Sequence, residues 1–233
     1  MTRHYEAINI GLVRSRNEDA LAVIEPDTYL VADGMGGQAA GEIASRMLVS
    51  AIETFLHASD HPWDERVLEK AIIRAGERIY EAGQGREDYK GMGTTATILH
   101  IDNNRAYFAH VGDSRLYRLK GERIEQLTED HSYVETLVRN GEISQAAARI
   151  HPMKNYLTQA VGAMLDIQVD TGNFKVKSGD AFLLCTDGLT NMVSDEEISR
   201  IIRSSSNPAD ALVQAALENG GKDNVSVIVL GVA

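Results

Sequence analysis

Two amphipathic helices in direct succession, with no strand between them, constrain this chain more than any other feature of its sequence. Ile43, Met47, Leu48, Ala51, Ile52, Phe55 and Leu56 recur at helical spacing, and after the break at His61-Pro62 so do Leu68, Ile72, Ala75 and Ile79. Strands precede the pair over residues 5–33, and runs of β-branched and aromatic residues follow it at 94–101, 105–111 and 114–120. A helical insertion then separates these from strands at 167–176 and 181–185, two further helices and a closing strand at 225–232. Ser132 and Ser194, each with a Glu three residues on, and Asn207-Pro208 mark helix starts. A βαβ unit returns each helix to a parallel strand, and two helices in series do not. The element order therefore predicts an α+β layered sandwich. The same order rejects a dinucleotide site at Gly34-Met35-Gly36-Gly37-Gln38-Ala39, which lacks the returning strand and its acid.

At 233 residues one domain, 1–233, is expected. The formal net charge of -11 opposes binding to a phosphate backbone, so nucleic acid is not an expected partner. Cys185 is the single cysteine, which excludes an internal disulfide and a cysteine-based zinc cluster. It ends the apolar strand Ala181-Phe182-Leu183-Leu184, and Asn191 rather than an arginine lies six residues on, which argues against a nucleophilic-cysteine phosphatase. No window approaches the roughly 20 apolar residues of a membrane span, and the N-terminus lacks a signal-like apolar stretch. A cytoplasmic protein without membrane partners is expected.

Four acids stand where an apolar run meets a glycine or small residue: Asp33 before Gly34, Asp113 after Gly112, Asp187 before Gly188, and Asp223 after Gly221-Lys222. Any one of these reads equally well as a turn. Strand ends of a sandwich converge at a rim, however, and carboxylates gathered there repel unless cations neutralise them. An all-oxygen set suits Mg²⁺ or Mn²⁺, with glycine carbonyls as further ligands. Arg14 and Arg16 stand close to Glu18 and Asp19, and a guanidinium beside such a site can hold phosphate oxygens bidentately.

Eight blocks occur in order: R-x-x-N-E-D (14–19), V-A-D-G-M-G-G (31–37), G-M-G-T-T-A (91–96), H-V-G-D-S-R (110–115), T-E-D-H-S (128–132), L-T-Q-A-V-G (157–162), C-T-D-G-L-T (185–190) and G-G-K-D-N (220–224). Together they resemble the bacterial branch of the metal-dependent protein serine/threonine phosphatases, the PPM or type 2C family, along the whole chain. The resemblance implies a four-layer αββα sandwich, two central antiparallel sheets flanked by helices, with a helical flap at about 131–160. It implies Asp33 as a ligand bridging two ions, Gly34 as a carbonyl donor, Asp187 and Asp223 completing the second ion, and Glu18 acting through water. Asp19 would support these from behind, Arg14 would bind phosphate, and Asp113 would share a weaker third ion with Asp187. The implied cofactors are Mn²⁺ or Mg²⁺, and the implied reaction is direct attack of an activated water on phosphoserine or phosphothreonine. Phosphorylated proteins, an opposing Ser/Thr kinase and a monomeric state follow from the same resemblance. Met35 and Gln38 depart from it, standing where relatives carry histidines, which leaves the acid for the leaving group unassigned between metal-bound water and another residue; His110 and His131 are candidates, although a histidine beside a β-run reads first as a hydrogen-bonded structural group. A catalytically silent, phosphoprotein-binding member would have lost one of Asp33, Asp187 or Asp223, and all three are present.

Overall fold

The computed structural model describes residues 2–36 and 40–232. Strands β1 (Thr2–Asn9), β2 (Asp19–Ile24) and β3 (Thr28–Met35) lead into helices α1 (Ala40–His57) and α2 (Glu65–Gly85). Strands β4 (Gly93–Thr94), β5 (Ala96–Asp102), β6 (Arg105–Val111), β7 (Arg115–Lys120) and β8 (Arg123–Gln126) follow. The insertion carries α3 (Tyr133–Arg139) and α4 (Gln145–Arg149). Then come β9 (Asp170–Lys175), β10 (Ala181–Cys185), α5 (Asp187–Thr190), α6 (Asp195–Ser204), α7 (Pro208–Glu218) and β11 (Val225–Val232).

All pairings between these strands are antiparallel and form two sheets, ordered β1-β11-β10-β7-β8 and β2-β3-β5-β6-β9, with β4 added to β3. Side-chain alternation along single strands builds the layers. In β3, Leu30 and Ala32 enter the core beneath α1 and α2, while Tyr29 and Val31 enter the core between the sheets. In β10, Leu183 and Cys185 face α5, α6 and α7, while Phe182 and Leu184 face the other sheet. Strands buried on both faces read as continuous apolar runs, which is why these were visible in the sequence. The result is the four-layer αββα sandwich, with α1 and α2 on the six-stranded sheet and α5–α7 on the five-stranded one.

The caps fall at the expected residues: Ser132, Ser194 and Asn207 accept from the backbone N–H of Glu135, Glu197 and Asp210. Strand β3 runs two residues past its expected end at Asp33 because β4 supplies partners there, Gly34↔Thr94 and Met35↔Gly93. Asp187 opens the short helix α5. Among the described residues no helix is long and apolar enough to cross a membrane.

Candidate metal centre

One rim of the sandwich gathers the anticipated acids, because β3, the β6–β7 turn, the β10–α5 junction and the start of β11 all end there. Arg14, Glu18, Asp33, Gly34, Asp113, Asp187 and Asp223 line a single cleft of about 450 Å³. Asp19 lies directly behind, buried and paired in register with Asp33 across β2 and β3.

Backbone contacts fix Asp33. Its N–H donates to Thr95 Oγ1 at 2.8 Å, and its carbonyl accepts from Thr95 N–H at 2.9 Å and Thr94 Oγ1 at 3.0 Å. Thr95 Oγ1 also meets Ser114 Oγ at 2.7 Å, and a Cβ on Gly112 (φ +110) would lie 2.5 Å from Thr95 Cγ2. One buried hydroxyl pair thus aligns Asp33 with the turn bearing Asp113. Gly34 admits no side chain: a Cβ there would stand 2.0 Å from the Gly41 carbonyl and 2.6 Å from that of Glu18. The first turn of α1 closes on β3 and Glu18 at this point.

The remaining acids are held by polar neighbours. Asp19 Oδ2 accepts from Thr186 Oγ1 at 2.8 Å and Ser226 Oγ at 2.7 Å, tying the two sheets together, while its Oδ1 is buried without a partner. Asp187 Oδ2 accepts from Asn191 Nδ2 at 2.9 Å, and its Oδ1 is likewise buried and unpartnered. Asp223 Oδ2 accepts from Arg14 Nη2 at 2.7 Å and Oδ1 from the Asn224 N–H at 2.9 Å.

Burial pushes Asp19 up to about 7 and Asp187 up to about 6, and lifts Asp33 and Asp113 well above the usual carboxylate range; neighbouring carboxylates add to each shift. Burial also raises Glu18, and the hydrogen bond to Asp223 raises Arg14. Among the described residues no three His, Cys, Asp or Glu side chains form a ready-made cage. A cation here therefore draws on carbonyl and water oxygens besides carboxylates, the habit of Mg²⁺ and Mn²⁺ rather than of zinc. Two orphaned carboxylate oxygens in a crowd of like charge are what such a cation relieves. The donor set fits.

Neither candidate histidine is free to serve as an acid. His110 Nε2 lies 3.0 Å from the Glu129 carbonyl, which can only accept, so Nε2 carries the proton. Burial, reinforced by His131, pushes this imidazole down to about 4, so Nδ1 is bare and accepts from Thr97 Oγ1 at 2.9 Å. His131 Nδ1 accepts from Gly112 N–H at 3.2 Å and its Nε2 faces Asp170 Oδ2 at 3.1 Å. Met35 lines the cleft but its thioether has no proton to give. Gln38 lies outside the described residues.

The state of His110 sets a pH dependence. The unfolded imidazole titrates near 6.5. Between that value and about 4 the folded protein binds fewer protons than the unfolded one, so stability is full above the window and falls as pH drops through it. The loss amounts to about 3 kcal/mol over the roughly 2.5 units. Denaturant melts between pH 7.5 and 4 should show His110→Gln losing less stability than wild type on acidification, since the carboxylates act alike in both. Parallel curves would return His110 to an ordinary, unshifted histidine.

Thr95, Thr186, Ser226, Asn191 and Asn224 support the centre without having been singled out from the sequence. Thr95, Thr186 and Asn224 lie inside the G-M-G-T-T-A, C-T-D-G-L-T and G-G-K-D-N blocks, which was the available signal.

Residues 13–223 match the protein phosphatase 2C family. Protein phosphatase PhpP of Streptococcus pneumoniae is 41% identical over 211 residues, covering 86% of this chain and 84% of that protein. The crystal structure of serine/threonine phosphatase Stp1 from Staphylococcus aureus superposes with a TM-score of 0.95 at 32% identity, covering 100% of this chain and 96% of the other. The catalytic domain of serine threonine protein phosphatase PstP, solved in complex with two manganese ions, gives a TM-score of 0.91 at 32% identity and covers 100% and 99%. The chain belongs to the protein phosphatase 2C family.

Proposed function

We propose that this chain is a manganese-dependent protein serine/threonine phosphatase that hydrolyses phosphoserine and phosphothreonine on proteins. The observation that carries the reading is the convergence of Asp33, Asp113, Asp187 and Asp223 on one cleft with Arg14 at its wall. Among its relatives, Stp of Listeria and Stp1 of Staphylococcus aureus bear the name serine/threonine phosphatase, and the PstP catalytic domain was solved with two manganese ions.

Asp33, the Gly34 carbonyl, Asp187 and Asp223 would hold two core ions, with Glu18 acting through water. Asp113 and Asp187 would hold a weaker third ion, and Mg²⁺ would serve in place of Mn²⁺. Bound there, the cations supply Lewis acidity and lower the pKa of water. Asp19, hydrogen-bonded to Thr186 and Ser226, keeps the floor rigid. Arg14 moves between Asp223 and the phosphoryl oxygens, whose charge its planar fork matches. Phosphoryl transfer asks chiefly for positioning and charge neutralisation, and this chain provides both without a covalent step. The region of about 131–160 acts as a flap over the cleft, since its Asn155, Tyr156 and Leu157 line it. Residues 1–233 work as one monomeric domain opposing a Ser/Thr kinase in the cytoplasm.

Dephosphorylation of a phosphothreonine peptide tests this reading. Turnover should require added Mn²⁺ and vanish in EDTA, returning when Mn²⁺ is restored. Turnover that persists in chelator sinks it.

A further inference from the structure

The loop that carries Arg14 has no core of its own. Residues 12–16 are all exposed, and burial of its own side chains does not fix its course. A single carboxamide does so instead. Asn224 is only 4% exposed, and its Oδ1 accepts from the Glu18 N–H at 2.8 Å. Its Nδ2 donates to the carbonyls of Ile10 at 2.8 Å and Arg16 at 2.9 Å. Those two carbonyls can only accept, which settles which end of the amide is nitrogen. One side chain thus holds the β1–β2 connection at its beginning, beyond Arg14 and at its end. The same turn adds close backbone contacts: Leu12 N–H donates to the Gly221 carbonyl at 2.7 Å, and a Cβ on Gly11 (φ +81) would stand 2.3 Å from the Asp223 carbonyl. Arg14 itself is half exposed, reaching Asp223 Oδ2 at 2.7 Å.

We propose that Asn224 is a positioning residue for Arg14, fixing the connection from which the guanidinium meets the phosphate. The inference rests on the reading of Arg14 as the phosphate-binding group. Asn224 borders the cleft, and it acts by making residues 10–18 part of the β11 turn that carries Asp223. An alanine here removes three hydrogen bonds, and an aspartate of the same shape turns the donor into an acceptor facing two carbonyls.

The test combines a double-mutant cycle with hydrogen exchange. Arg14→Ala should lower kcat/KM on a phosphopeptide about ten- to a hundred-fold, the scale of a lost charge-assisted contact. Asn224→Ala should lower it about tenfold, mainly through KM. The double variant should be within about threefold of Arg14→Ala alone, because a misplaced guanidinium and an absent one cost the same interaction once. In metal-free protein, amides of residues 10–18 should exchange at least about tenfold faster in Asn224→Ala and in Asn224→Asp, with β10 and the rest of β11 unchanged. Losses that multiply in the double variant overturn the proposal, as does wild-type exchange over 10–18 in both Asn224 variants. Exchange accelerated throughout the five-stranded sheet overturns it too, marking Asn224 as a general fold contact. Wild-type kinetics in Arg14→Ala would instead sink the phosphate reading of Arg14, leaving the exchange arm to decide whether Asn224 holds the loop.

Discussion

Asp33→Asn is expected to lower turnover on the order of 10³-fold or more, the scale at which removing one preorganised electrostatic group acts, without unfolding the protein. The carboxylate lies among Asp19, Asp187, Asp113 and Asp223, and burial together with these neighbours raises its pKa well above the ordinary range. A carboxyl whose pKa is raised by folding contributes stability at low pH that is lost as pH rises through the folded value. At neutral pH, above the pKa of the unfolded carboxyl, Asp33 therefore works against the metal-free fold, and an uncharged amide of the same shape should leave its melting temperature equal or higher. Its backbone contacts to Thr94 and Thr95 do not involve the carboxylate and survive the change. With Mn²⁺ the order reverses: wild type should gain stability by mass action, and Asp33→Asn should gain little. Thermal melts with and without Mn²⁺, read beside phosphopeptide turnover, check both halves. A variant that keeps wild-type activity, or one whose melt rises with Mn²⁺ as wild type does, removes Asp33 from the metal site.

The layered architecture was legible because its two signals are local. Ile43 to Leu56 and Leu68 to Ile79 announce a helix pair by period, and Tyr29–Ala32 and Phe182–Cys185 announce doubly buried strands by their unbroken apolarity. Which strands pair was not legible, because β1 and β11 lie at opposite ends of the chain and nothing in either segment names its partner. Strand β8 was missed because Arg123-Ile124-Glu125-Gln126 forms a sheet edge with two exposed positions, and so carries little hydrophobic pattern. Helix α5 was missed because four residues are too few to show a period.

For the centre, the acids themselves were legible as a set and their supports were not. Asp19 and Asp187 each take their partners from residues distant in sequence or four positions on, and no spacing rule marks Thr186, Ser226 or Asn191 as those partners. The choice between His110 as acid and His110 as scaffold depended on what each ring nitrogen touches, which only coordinates supply. That outcome matters for the chemistry, since it removes both nearby imidazoles from the list of proton donors.

Asp113→Ala is expected to separate metal binding from turnover. Asp113 stands where the metal cleft meets an adjoining polar cavity of about 430 Å³, and with Asp187 it lines both. Its turn is set by Gly112 against Thr95 and by the Thr95–Ser114 hydroxyl pair, neither of which the substitution disturbs. Removing the side chain takes away none of the donors proposed for the two core ions, Asp33, Gly34, Asp187 and Asp223, so calorimetric titration should still find their tight Mn²⁺ binding. It also removes one of the charges that raise Asp33, which relieves the metal-free fold rather than burdening it. Turnover should nevertheless fall about 10²-fold, toward the lower end of what a general acid–base group contributes. The reason is local: with His110 and His131 engaged at both nitrogens and Met35 aprotic, the Asp113 carboxylate, which lines the cleft beside Asp187, is placed to orient a water for the departing oxygen. The loss should therefore be smaller for p-nitrophenyl phosphate, whose leaving group needs no proton, than for a phosphoserine peptide. Loss of tight Mn²⁺ binding would make Asp113 a core ligand, and equal losses on the two substrates would remove it from leaving-group protonation.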